Sequence, residues 1–234
     1  MLTLQFRRVA AWAVHAYTAT GAVLAFLALV SITGHDARGV FLWLFAATIV
    51  DATDGWMARW AEVKRYAASL DGARLDDIVD YLTFVFLPVF FVYHFQMLPV
   101  GWGALAVAAV LLSSAFGFTA TDAKTPDYFF TGFPSYWNIV ALYLYALHVP
   151  TAANAIILIA LAVLVFVRIG YIYPTRTPTW RSVTIVLCVV WGAMVLAITW
   201  MLPDPPESLV IGSLFFPIYY FALSLVLQRQ RRPA

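Results

Sequence analysis

The stretch 11–33, AWAVHAYTATGAVLAFLALVSIT, contains no Asp, Glu, Lys or Arg. A bilayer core requires about 20 apolar residues per spanning helix, so this stretch predicts a transmembrane helix. The composition agrees, since 63% of the 234 residues are hydrophobic and 11% are charged, against roughly 45–50% and about 25% in soluble domains. The sequence therefore predicts an integral membrane protein.

Apolar segments recur along the rest of the chain. They lie at 40–59, 72–96, 99–119, 135–148, 151–171, 182–201 and 208–227. Together with 11–33 they predict an all-α fold, a polytopic bundle of about eight transmembrane helices in a single domain spanning 1–234.

Basic residues fall almost entirely in the connections on one side of this bundle. They are Arg7, Arg8, Arg59, Lys64, Arg65, Arg74, Lys124, Arg168, Arg176, Arg181, Arg229, Arg231 and Arg232, with Arg38 alone on the other side. By the positive-inside rule, both termini are predicted to be cytoplasmic. The net charge of +2 and the dispersed cations indicate membrane lipids and no nucleic acid as partners.

Two acidic stretches interrupt the apolar pattern, DATDGWMAR at 51–59 and GARLDDIVD at 72–80. Two acids of the first stretch are three residues apart and two of the second are four apart, so each pair shares one helical face. These acids are Asp51, Asp54, Asp76 and Asp80. The spacing allows each pair to converge on one point at the predicted cytoplasmic ends of two helices.

Clustered carboxylates in a membrane protein require cations nearby. Each acid costs roughly 2.5–3.5 kcal/mol at the centre of a membrane helix, and neighbouring carboxylates also repel one another. Arg59 and Arg74 cannot balance all of them. Oxygen ligands without a neighbouring His or Cys suit Mg²⁺, Mn²⁺ or Ca²⁺. Because Mg²⁺ and Mn²⁺ also bind diphosphates, a nucleoside diphosphate substrate is expected.

Small residues lie beside the acids. Gly55 and Ala58 leave one helix face thin, and Gly72 does the same at the start of the next helix. A flat ring or a phosphate could approach the backbone there. Close helix packing explains such residues equally well, and the spacing alone does not separate the two interpretations.

The acidic stretches resemble the signature of the CDP-alcohol phosphotransferase family, D-x-x-D-G-x-x-A-R followed by G-x-x-x-D-x-x-x-D. Every fixed position is present: Asp51, Asp54, Gly55, Ala58, Arg59, Gly72, Asp76 and Asp80. The resemblance implies that the four acids bind Mn²⁺ or Mg²⁺ and that Asp80 is also the general base. It implies that Gly55, Ala58, Arg59 and Gly72 line the nucleotide site.

Twelve residues, 60–71, separate the two halves of the signature, where most of the family has eight. This spacer, together with 130–138 and 171–176, resembles the bacterial branch that makes phosphatidylcholine. That resemblance implies transfer of the phosphatidyl group of CDP-diacylglycerol to choline with release of CMP. It also implies a bacterial inner-membrane location with the site facing the cytoplasm, and a possible homodimer.

A choline acceptor would be held by aromatic faces, because its quaternary ammonium accepts no hydrogen bond. Tyr81, Tyr136 and Trp137 are candidates on the predicted cytoplasmic side, although interfacial aromatic belts also explain such residues. Arg176 is a candidate for the donor phosphate.

Two alternatives stay open. One is a related transferase that uses serine, inositol phosphate or glycerol phosphate. The other is a divalent-cation transporter, which should have polar residues at mid-membrane depth in several helices.

Overall fold

Helices form nearly all of the regular structure in residues 4–230, the part of the chain that the computed structural model describes. The elements are α1 (Leu4–Thr33), α2 (Ala37–Trp60), α3 (Val63–Tyr66), α4 (Gly72–Asp80), a π-helical turn (Tyr81–Phe86), α5 (Leu87–His94), α6 (Gly103–Thr119), β1 (Phe129–Thr131), α7 (Trp137–Ala146), α8 (Thr151–Phe166), β2 (Gly170–Ile172), α9 (Arg181–Trp200), α10 (Glu207–Ser213) and α11 (Phe215–Gln230). Arg231 and Arg232, used in the orientation argument, lie outside the described residues.

Four helical stretches of the described chain are long and apolar enough to cross a membrane. They are Leu4–Thr33, Ala37–Trp60, Arg181–Trp200 and Glu207–Gln230. The shorter helices α6, α7 and α8 are also apolar. This set fits a multi-pass membrane protein, and each of the eight predicted segments contains a helix.

The sixth predicted segment, 151–171, is wrong at its end. Helix α8 stops at Phe166, and Gly170–Ile172 forms β2, which pairs antiparallel with β1. All residues of β2 are buried. A short apolar run of this kind has the same composition in a buried strand as in a buried helix, so the sequence does not distinguish the two. The all-α prediction thus omits a two-stranded sheet that joins the α6–α7 and α8–α9 connections.

The sheet also carries α11. The backbone N–H of Ile172 donates to Ser224 Oγ at 3.1 Å, and that of Gly170 donates to Gln228 Oε1 at 2.8 Å. Because these donors would otherwise lack partners at the edge of the sheet, the bonds fix α11 beside β2. The C-terminal helix is thereby brought to the same end of the molecule as the acidic stretches.

Helix α1 organises the acidic end of the bundle. It packs along α2 and against α4, and the approach to α4 is so close that a Cβ on Gly21 would overlap Val79 Cγ1. Asp71 caps α4 by accepting hydrogen bonds from the N–H groups of Ala73 and Arg74. The backbone stays helical from Gly72 to His94, but a π-helical turn begins directly after Asp80.

Candidate active site

Three carboxylates converge between α2 and α4. Asp51 comes from α2, and Asp76 and Asp80 come from α4. One oxygen of each lies within 4.8 Å of the others, and all three side chains are partly buried. The predicted convergence of the two acidic stretches is therefore present in the fold.

The fourth acid, Asp54, is held by α1. It is only 6% exposed, and its Oδ2 accepts a hydrogen bond from Thr18 Oγ1 at 2.8 Å. Asp54 lies close enough to Asp51 and Asp76 to interact electrostatically with both. It is not among the three acids whose oxygens converge, so its predicted role as a metal ligand remains a prediction.

The three converging acids fit a hard divalent cation. Two oxygens bound to one Mg²⁺ at about 2.1 Å can be at most about 4.2 Å apart, and the wider radius of Ca²⁺ allows about 5 Å. The three oxygens lie within 4.8 Å of one another, so small side-chain rotations suffice to bring them into that range. Carboxylate oxygens are the ligands that such ions prefer, and the uncompensated negative charge favours their binding.

Arg59 lies along the face that Gly55 leaves open. A Cβ built on Gly55 would lie 3.5 Å from Arg59 Nη1, so the guanidinium reaches back one helical turn toward the acids. Arg59 is exposed, and within residues 4–230 it makes no ion pair. Ala58 instead packs against a small apolar cluster that contains Ala11 and Val14.

Gly72 is in contact with α1. A Cβ at this position would lie 2.8 Å from Cε1 of His15, which is itself buried. The close packing of α1 on α4 therefore favours a glycine here, independently of any ligand. The predicted role of Gly72 in nucleotide binding remains a prediction.

Of the three predicted acceptor residues, Tyr136 is the one whose side chain has no hydrogen bond to the backbone or to a serine within residues 4–230. Its phenol interacts electrostatically with Asp51. Tyr81 instead donates to the carbonyl of Leu111 at 3.1 Å. Trp137 is 1% exposed and donates from Nε1 to Ser114 Oγ at 2.8 Å. The polar atoms of Tyr81 and Trp137 thus have structural partners, and their acceptor roles remain predictions.

Arg176 lies in the α8–α9 connection near the sheet. Its guanidinium stacks 5.5 Å from the ring of Tyr173 and 6.0 Å from that of Tyr128. Thr177 Oγ1 donates to the carbonyl of Tyr128 at 2.7 Å, which ties this connection to the α6–α7 connection. Arg176 is therefore oriented by aromatic rings.

The geometry and the sequence comparisons lead to the same family. The sequence model for CDP-alcohol phosphatidyltransferases matches residues 14–167, more than half of the chain, including all four acids. The chain belongs to this family. A CDP-alcohol phosphatidyltransferase is an enzyme, so the transporter alternative is not supported.

Curated relatives extend the similarity beyond the family match. The chain is 35% identical over 222 residues to the phosphatidylcholine synthase of Pseudomonas aeruginosa, covering 95% of this chain and 92% of the relative. It is 31% identical over 223 residues to that of Rhizobium meliloti, with the same two coverages. It is 44% identical over 170 residues to that of Legionella pneumophila, covering 71% of this chain and 66% of the relative.

Sequence reasoning missed two residues of this phosphatidyltransferase site. Thr18 holds Asp54, but a threonine within an apolar helix gives no sign of its partner on another helix. Lys124, in the α6–α7 connection, interacts electrostatically with Asp51, Asp76 and Asp80. In the sequence, Lys124 is marked only by its position on the predicted cytoplasmic side. Most other basic residues share that position, so it does not single out Lys124.

Proposed function

We propose that the chain is a phosphatidylcholine synthase, which transfers the phosphatidyl group of CDP-diacylglycerol to choline and releases CMP. The convergence of Asp51, Asp76 and Asp80 carries the reaction type, because such a cluster fits a divalent cation that binds a diphosphate. The names and coverage of the curated relatives support choline as the acceptor.

Asp80 acts as the general base of the proposed reaction. It accepts the proton of the choline hydroxyl while the alcohol oxygen attacks the phosphorus that carries diacylglycerol. The bond from that phosphorus to the CMP oxygen breaks, and CMP leaves with the electron pair. Asp51, Asp54 and Asp76, together with Asp80, would hold Mn²⁺ or Mg²⁺, which would neutralise the charge of the diphosphate. Lys124 adds positive charge near these acids.

The nucleotide half of the donor is assigned to the α2 and α4 surfaces beside the acids. Arg59 supplies an exposed guanidinium, and the bare face of Gly55 lets a phosphate approach the helix backbone. Gly72 and Ala58 complete this surface in the proposal. Arg176, oriented by its two tyrosines, is assigned to the phosphate of the lipid donor.

We further propose about eight membrane spans with both termini in the cytoplasm, in the bacterial inner membrane. The distribution of Lys and Arg supports this orientation. It places the acids where a cytosolic alcohol can reach them. A homodimer, which the family resemblance suggests, belongs to the same proposal.

The test is CMP release by purified protein in detergent or vesicles supplied with CDP-diacylglycerol and Mn²⁺. Choline, serine, inositol phosphate and glycerol phosphate are added one at a time. Rapid CMP release and formation of phosphatidylcholine with choline alone is the expected result. CMP release with another alcohol but not with choline would leave the family assignment standing and overturn the acceptor.

A further inference from the structure

Tyr220 is a buried phenol on α11. It is 6% exposed, and its hydroxyl oxygen is buried without a hydrogen-bond partner among the described residues. A buried hydroxyl without a partner destabilises a fold, whereas phenylalanine at the same position would not. The hydroxyl, which neighbours the phenol of Tyr136 without a well-formed hydrogen bond, is therefore available to bind a ligand.

The surroundings of Tyr220 lead to the acids. Its ring stacks on that of Tyr171, with centroids 6.0 Å apart and planes 13° apart, and meets the ring of Tyr136 edge-on at 6.2 Å. The hydroxyls of Tyr136 and Tyr220 lie close enough to interact, although no hydrogen bond of good geometry joins them.

Tyr136 in turn meets the ring of Phe84 edge-on at 6.4 Å, and Phe84 follows Asp80 by four residues on the same continuous helix. Its phenol also interacts electrostatically with Asp51. A polar, aromatic-lined position thus lies beside the converging acids.

The position of Tyr220 in the chain indicates which substrate it serves. The general family match ends at residue 167, whereas the similarity to phosphatidylcholine synthases covers 95% of the chain. All members of the family use a CDP-linked donor, and the alcohol differs between branches. A residue beyond 167 that packs on Tyr136, a neighbour of the acids, is therefore placed to recognise the alcohol. Hydrogen bonds from β2 to Ser224 and Gln228 hold α11 in that position.

We propose that Tyr220 is an acceptor-binding residue, whose hydroxyl donates a hydrogen bond to the hydroxyl oxygen of the alcohol next to Tyr136. This inference rests on the proposed function, because it assumes that the acids act on an alcohol. One lone pair of the alcohol oxygen accepts the bond from Tyr220 and another attacks phosphorus, while the alcohol proton passes to Asp80. The tyrosine orients the nucleophile and takes no proton.

The experiment compares Tyr220→Phe with Tyr219→Phe. Tyr219 is the adjacent residue on α11, and its hydroxyl is hydrogen-bonded to Thr184 at 2.7 Å, away from Tyr136. For each protein, KM is measured for choline and for CDP-diacylglycerol, together with Tm with and without choline. These measurements separate a hydroxyl that binds substrate from one that supports the fold.

Tyr220→Phe should raise the choline KM about tenfold, equivalent to about 1.4 kcal/mol, with the donor KM unchanged. Its Tm without choline should equal or exceed that of the wild type, because an unpaired hydroxyl is removed, and choline should raise that Tm less. Tyr219→Phe should lower Tm and leave the choline KM unchanged.

An unchanged choline KM in Tyr220→Phe would overturn this inference while leaving the proposed function intact. A Tyr220→Phe protein that loses its fold would also overturn it, because the hydroxyl would then have a structural role. If the wild type does not use choline, the proposed function fails instead. The same KM comparison, made with the alcohol that the wild type does use, then decides the role of Tyr220.

Discussion

Thr18→Val tests whether α1 orients Asp54 for metal binding. Valine has nearly the same shape as threonine but removes the hydroxyl that donates to Asp54 Oδ2 at 2.8 Å. A hydrogen bond to a charged group contributes about 1.5–3 kcal/mol, and loss of a residue that orients a metal ligand typically lowers metal affinity roughly 10- to 100-fold. We expect a loss of apparent Mn²⁺ affinity within that range.

The assay is CMP release as a function of Mn²⁺ concentration at saturating CDP-diacylglycerol and choline. Thr20→Val is the matched control, because Thr20 lies on the same helix, is exposed, and donates to the carbonyl of Tyr17, three residues earlier on that helix. The control should show the wild-type Mn²⁺ dependence. If Thr18→Val also shows it, then either Asp54 does not bind the metal or Thr18 does not orient it, and the reasoning fails.

Asp80→Asn should abolish turnover but retain Mn²⁺-dependent CDP-diacylglycerol binding, because a base acts only in the chemical step; normal turnover would exclude Asp80 as the base. Gly72→Ala should lower Tm, because the added methyl group would collide with His15. It should also raise the donor KM, because Gly72 belongs to the proposed nucleotide surface. A His15→Ala, Gly72→Ala double variant that restores both values would show that Gly72 serves packing alone. Gly132→Ala should lower the free energy of unfolding by more than about 1 kcal/mol, because φ is +79° and the Cβ would overlap the Val165 carbonyl. Its control is Gly192→Ala, where a Cβ meets nothing, and equal unfolding curves for the two variants would contradict the steric argument.

The helices and the acid cluster were predictable because both depend on local spacing. An apolar run identifies a spanning segment, and acids three or four residues apart on a helix share a face whatever surrounds them. To predict that Asp51 converges with Asp76 and Asp80, the family signature was also needed, because it joins the two stretches. That signature placed both stretches at one site before any contact between the helices was known.

What could not be predicted depends on contacts between distant parts of the chain. Nothing in the apolar sequence at 170–172 distinguishes a buried strand from the end of a helix. The partnership of Thr18 with Asp54 joins two helices, and the approach of Tyr220 to Tyr136 joins residues 84 positions apart in the numbering. Among the tyrosines of residues 4–230, only the fold identifies Tyr220 as the one with a buried hydroxyl that lacks a hydrogen-bond partner.

The π-helical turn at Tyr81–Phe86 divides the helix from Gly72 to His94 into two parts, α4 and α5. The turn changes the rotation of one part about the helix axis relative to the other. In an α-helix, removing one residue rotates everything beyond it by about 100°. The π-helical turn holds more residues per turn than an α-helix and so introduces a rotation of this kind. The helix face with Asp76 and Asp80 and the face of α5 with Phe91 are therefore related differently from the way a continuous α-helix would relate them. The orientation of Asp76 and Asp80 relative to α5 thus depends on the number of residues in the turn. Shortening Tyr81–Phe86 by one residue would rotate the two halves relative to each other by about 100°, so the acids and Phe91 could not both keep their present packing.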